Sequence, residues 1–241
     1  KGNYTGAGVY VNGTVDGAEI IVTGTADISG TGHGMYLAGN ADTTIADGAV
    51  ITGEMTGIEI RAGSLTVNGG TIEGKGTPTE FLSNGNGSTT TGAGIAVVKH
   101  TTTFDLSATI TAGEIIGYTA LYERKDANAG AGTITLRVTG GSFVSGGGDA
   151  VYSENCTAFI TGGTFDDFSA IPYMEDGSSI DIVLSETITL ISSIINIDGD
   201  KTVNIDLNGN NIEFADGKRF LICNGTLNLT GEGTVKESVP D

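Results

Sequence analysis

Glycine supplies 40 of the 241 residues against 3 prolines, and 29 acidic residues outnumber 11 basic ones, for a net charge of −18. Long helices are disfavoured, since each interior glycine costs about 1 kcal/mol relative to alanine, and without a Gly-X-Y period collagen is excluded. A surface this acidic repels phosphates and anionic headgroups, so nucleic acid is not an expected partner. The 38 % hydrophobic content still suffices for a core.

In chain order, the first strand-like triplet is Val9-Tyr10-Val11, followed by Ile20-Ile21-Val22 and the ending Ile28-Ser29-Gly30. The same order then repeats. Met35-Tyr36-Leu37, Thr44-Ile45 and Ile51-Thr52-Gly53 form the next unit. Ile58-Glu59-Ile60, Leu65-Thr66-Val67 and Ile72-Glu73-Gly74 form the third. Later copies carry Ile95-Ala96-Val97, Leu121-Tyr122-Glu123 and Val151-Tyr152-Ser153 in first place. Ile115, Phe143 and Phe165 mark the endings. The middle strands there are Phe104-Asp105-Leu106, a segment at 134–138 and Ala158-Phe159-Ile160, and corners such as Asn68-Gly69-Gly70 and Thr161-Gly162-Gly163 supply the glycine excess.

Each unit is thus three short strands of roughly 22–28 residues, which cannot bury its own apolar face and must stack on its neighbours. The expected fold is all-β: a right-handed parallel β-helix, or solenoid, of short three-strand coils. Leucine-rich repeats need a Leu and Asn pattern that is absent here, and an antiparallel sandwich does not predict triplets in constant order. Alternation within each strand places Val9, Met35, Ile58, Ile95, Leu121 and Val151 in one inward column. It places Tyr10, Tyr36, Tyr122 and Tyr152 in an outward column, with Glu59 and Ala96 between them. As an exposed column these tyrosines are the expected ligand-binding residues, suited to stacking sugars.

The coils are expected to occupy residues 1–170, with a loop insertion at 75–91. Its Asn, Gly, Ser and Thr content, including Asn84-Gly85-Asn86-Gly87, points to a surface loop that can be deleted without harm to the fold and that is the first candidate for a binding role, ahead of the tyrosine column. A second, smaller irregularity contains Glu123-Arg124-Lys125-Asp126 and reads as a solvated, salt-bridged loop. Residues 168–177 interrupt the array. Residues 178–241 then form a second β-helical segment, either stacked on the first or starting a new array. The glycine-free stretch 178–198 is broken by Asp181 and Glu186, so it reads as alternating strand and not as a membrane span. The opening Lys1-Gly2-Asn3-Tyr4 shows no signal peptide, so any targeting segment is expected to have been removed. Cys156 and Cys223 form no C-x-x-C pair and lie several coils apart. They are expected to be unlinked thiols, since a disulfide needs Cα atoms within about 7 Å.

The segments Val67-Asn68-Gly69-Gly70-Thr71-Ile72 and Ile160-Thr161-Gly162-Gly163-Thr164-Phe165 resemble pectate-lyase-like right-handed β-helix proteins. Residues 203–209 and 225–233 look like the strand–turn units of bacterial cell-surface repeat proteins and adhesins. The resemblance covers nearly the whole chain, and its motifs report the coil rather than a chemistry. It implies polysaccharide lyases, glycosidases and non-catalytic adhesins alike. Asp166-Asp167 and Gly32-His33-Gly34 match pieces of the polygalacturonase pattern, but there the paired Asp precedes the Gly-His-Gly, and the remaining elements are missing here. His33 is therefore expected at a corner, and His100, before a Thr run, is expected to be exposed. No catalytic residue, cofactor or metal site is expected. The expectation is a secreted or cell-surface structural or adhesive module, extracellular, not inserted in a membrane, with glycans or host surfaces as partners. The alternative is a carbohydrate-active enzyme or a truncated relative of one.

Overall fold

The computed structural model describes residues 6–83, 88–190, 194–215 and 217–237. Residues 1–4 and the turn at 84–87 noted above therefore lie outside the described residues. The chain is an all-β parallel β-helix of about nine turns, with 57 % of residues in strands. Among the described residues no helix is long and apolar enough to cross a membrane.

One strand of each of the first six coils enters a six-stranded parallel sheet, here the first sheet. Its members are Val9–Val11, His33–Leu37, Thr56–Ile60, Ala93–Lys99, Thr119–Lys125 and Val151–Ser153, each paired with the next. The inward column follows from that register. Val9 pairs with Met35, Met35 with Ile58, Ile58 with Ile95, Ile95 with Leu121, and Leu121 with Val151.

A twelve-stranded sheet carries the other positions of these coils and one strand of each later coil, whose remaining strands pair in a separate three-stranded and a two-stranded sheet. Here the coil departs from three separate strands. Gly63–Gly74 and Leu106–Gly117 each run through the corner as one bent strand of 12 residues. The two pair with each other, and register shifts between Ile110 and Glu114 absorb the bend. A bulge of this kind turns a strand without ending its ladder, and Gly113, at φ 100°, supplies the conformation it needs. Conversely, Ala158-Phe159-Ile160 is not a strand. Ile160 makes isolated bridges to Val138 and Met174, and Ala158 adopts a left-handed φ of 51°.

The coil endings form the spine of the long sheet. Ile28, Ile51, Ile72, Ile115, Phe143 and Phe165 are successive register partners, and the last two rings stack 4.9 Å apart. The glycine that closes several of these endings has a steric cause. A Cβ on Gly30, Gly53 or Gly74 would lie 1.9 Å from the carbonyl oxygen of His33, Thr56 or Ala93, where the chain doubles back into the first sheet. The spine crosses the irregular segment 168–177, which holds a short 3-10 turn at Ile171–Tyr173. Phe165 pairs with Ile182, Ile182 with Ile205, and Ile205 with Leu229.

Candidate functional site

The outward face of the first sheet carries the tyrosines, in the order the pleat dictates. Tyr10 pairs with Tyr36, Tyr36 with Glu59, Glu59 with Ala96, Ala96 with Tyr122, and Tyr122 with Tyr152. Tyr10 and Tyr36 stack at 5.7 Å and 14°, and Tyr122 and Tyr152 at 5.3 Å and 13°. The column is not exposed along its length. Tyr10 is 42 % exposed and Tyr152 half-buried, but Tyr36 is 2 % exposed and Tyr122 is also buried. Arg61 lies over the Tyr36 ring at 4.9 Å, the His33 ring meets it edge-on, and Phe81 packs into the cluster holding Ala96 and Tyr122.

Phe81 belongs to the insertion, which is not a free surface loop. Glu80–Ser83 and Ser88–Thr91 pair as an antiparallel hairpin, and Thr89, Thr90 and Thr91 are buried. Threonine hydroxyls and backbone N–H groups satisfy buried charges, which is how so polar a segment docks onto the coils.

The charge beneath the hairpin is Glu59, at 0 % exposure. Arg61 Nε donates to its Oε1 at 2.7 Å. Its Oε2 accepts from the Thr90 backbone N–H at 2.9 Å, the Thr89 hydroxyl at 3.0 Å and His33 Nε2 at 2.9 Å. An ionised carboxylate can only accept, so this network assigns a proton to His33 Nε2. Burial pushes the Glu59 carboxyl upward. The charge of Arg61, the hydrogen bond and charge of His33 and the Thr90 N–H outweigh burial and hold it at about 2. His33 is therefore buried on a strand and not at a corner.

Further buried charges lie at the ends of the neighbouring first-sheet strands, not all of them on the outward face. His100 is buried rather than exposed, with Nε2 3.0 Å from Asp126 Oδ2 and its ring stacked on Phe81. Burial, joined by the charge of Arg61, lowers its pKa against the pull of Asp126 and Glu59. Lys99 is fully buried, donates to the Phe104 carbonyl, and has its pKa lowered chiefly by burial. Arg124 lies over Phe81 at 5.0 Å. Glu123 is not in a solvated loop. It is fully buried and accepts from Ser153 Oγ at 2.7 Å, Asn155 N at 2.8 Å and Asn155 Nδ2 at 3.0 Å, pinning the turn that follows the next first-sheet strand.

Chemically, this face binds itself. Both oxygens of Glu59 are occupied by five donor contacts from protein groups. Among the described residues no three His, Cys, Asp or Glu side chains converge as metal ligands. Asp166 and His33 are not brought together: Asp166 Oδ2 accepts from Ser145, while His33 is bonded to Glu59. Cys156 and Cys223 are free thiols. No protein-family model matches this chain, and no curated protein or solved structure matches it.

Proposed function

We propose that the chain is a β-helical module of a secreted or cell-surface protein, with a structural or adhesive role. The observation that carries this reading is the use made of the first sheet's outward face. There Glu59, His33 and Arg61 are spent on one another and on the hairpin, which stabilises the stack rather than exposing reactive groups. On that face Tyr10 is the exposed aromatic ring at one end and Tyr152 a half-buried one at the other, with Phe81 of the hairpin half-buried between them. Tyrosine rings at the edge of a rigid array suit stacking against the apolar face of a sugar, so glycans on a host or neighbouring cell are the proposed partners. A glycan array probed with the purified chain tests this. Binding is expected to weaken in a Tyr10→Ala, Tyr152→Ala double variant of unchanged thermal stability. Binding that ignores both tyrosines would remove them as the adhesive surface. Release of reducing or unsaturated sugar ends from any arrayed polysaccharide would replace this reading with a carbohydrate-active one.

A further inference from the structure

The coil at residues 217–237 is built like its neighbours but lacks their cover. In the coil before it, Ile197, Val203, Ile205 and Ile212 belong to the core and are fully buried. Their register partners in the next coil are Ile222, Leu227, Leu229 and Val235. Leu227 is half-buried, but Ile222 is 47 % exposed, Leu229 46 % and Val235 39 %. The core columns therefore emerge at this end of the solenoid as an apolar face. Phe220–Ile222, Thr226–Thr230 and Thr234–Glu237 border it, each last in its sheet and paired on one side only among the described residues. An edge of that kind presents a row of backbone N–H and C=O groups and is a template for another strand.

The coil at residues 6–30 offers matching edges. Val9–Val11, Asp16–Val22 and Asp27–Gly30 likewise pair on one side only among the described residues. Ile28 heads the column of coil endings that runs through the long sheet to Leu229. The two ends also differ in charge. Residues 6–30 carry Asp16, Glu19 and Asp27, all exposed, and no lysine or arginine. Residues 217–237 carry Lys218, Arg219 and Lys236 against Glu232 and Glu237, the reverse of the acid excess of the whole chain. Neighbouring coils already exchange such charges: Lys236 meets Glu213 at 3.0 Å, and Lys75 meets Glu54 at 3.4 Å.

We propose that the coil at 217–237 docks the coil at 6–30 of a second copy of this chain, end to end, so that the long sheet continues from one copy into the next. Leu229 then meets Ile28 at the strand spacing of about 4.8 Å, with Thr230 beside Ser29. Head-to-head contact sets three carboxylates against three, and tail-to-tail contact sets Lys218 and Arg219 against their own copies. Head-to-tail contact opposes unlike charges. The two patches differ, so the contact is heterologous: each added copy presents a fresh end, and the product is a linear assembly rather than a closed pair. Neither Leu229 nor the carboxylates at 6–30 belong to the tyrosine surface, so either reading can fail without the other.

Sedimentation velocity of the full chain from micromolar to millimolar concentration tests this. Mass growing past the dimer with concentration is expected. Leu229→Lys, at a position already open to solvent, should weaken association about tenfold or more through lost apolar burial. Asp27→Lys should also weaken it, by placing like charge on like. Val183→Lys, an exposed apolar position in mid-solenoid, should leave it unchanged. Ser29→Cys and Thr230→Cys, each made with Cys223→Ser, should cross-link on mild oxidation when mixed and not when alone. A monomer at every concentration, a dimer that grows no further, native association in Leu229→Lys or equal weakening in Val183→Lys overturns the proposal. Cross-linking of Thr230→Cys alone as readily as in the mixture also overturns it, because that contact is tail-to-tail.

Discussion

The backbone N–H of Thr90 donates to Oε2 of Glu59, 31 positions earlier in the chain, at 2.9 Å. The Thr56 hydroxyl returns the contact, donating to the Thr90 carbonyl at 2.8 Å. The insertion is fastened to the coil that precedes it by buried polar bonds.

Replacing residues 76–90 by a short turn should therefore destabilise the chain. Glu59 loses two of its donors and stays buried or becomes wetted, a cost of about 2–4 kcal/mol. Denaturant unfolding measures the loss. Hydrogen exchange should show faster amide exchange in Thr56–Ile60 and Ala93–Lys99. A melting temperature equal to that of the intact chain would show that the hairpin is not structural.

Stability should fall in acid because of the same carboxylate. Its folded pKa of about 2 lies below the ordinary value of 4.5. The stabilisation is thus fully present above 4.5 and is lost as pH falls toward 2. A shift of that size corresponds to about 3 kcal/mol. Unfolding free energies measured between pH 6 and pH 2.5 should decline more steeply for the native chain than for Glu59→Gln. Parallel curves would contradict the assignment.

Gly53→Ala should be severely destabilising, by about 3 kcal/mol or more, because its Cβ would overlap the Thr56 carbonyl oxygen and the corner cannot open without breaking the ladder. Gly13→Ala is the matched control. Its nearest neighbour is 3.6 Å from the added carbon, so the change should stay within about 0.5 kcal/mol. Paired thermal melts decide it.

The two thiols should react at very different rates. Burial, with Glu123 nearby, pushes Cys156 up to about 11, whereas Cys223 is exposed. Iodoacetamide at pH 8 should label Cys223 first and reach Cys156 at a comparable rate only in denaturant, since the thiolate is the nucleophile. Peptide mass spectrometry reads the order, and equal labelling in the native state would refute it.

The columns of the solenoid were legible because each coil writes its register in the chain. Ile28, Ile51 and Ile72 recur before a glycine, and the pleat then fixes which neighbours of Met35 or Ile58 face inward. The covered polar face was not legible. His33 and Glu59 are 26 positions apart and meet because their strands are adjacent, which composition does not reveal. Thr89 and Thr90 read as surface residues, since threonine is buried here by what it bonds rather than by being apolar. Glu123 misled for a related reason. Its charged neighbours Arg124 and Lys125 suggest a loop, yet alternation turns its carboxylate onto the turn at Asn155. A usable signal was the placement of Glu59 and Arg61 two apart, alternating with Ile58 and Ile60 at the end of Thr56–Ile60.

The hairpin also has a mechanical consequence. It touches His33 and Glu59 through Thr89, His100 through Phe81, and Arg124 through the same ring, and so reaches four consecutive strands of the first sheet or their ends. Coils joined by ladders alone would peel away one at a time when the chain is pulled from its ends, each giving a small step. Here the brace makes those four coils share the load. Under tension they should hold until the brace tears and then give way together, leaving the C-terminal coils as the compliant end and the N-terminal half as the rigid one.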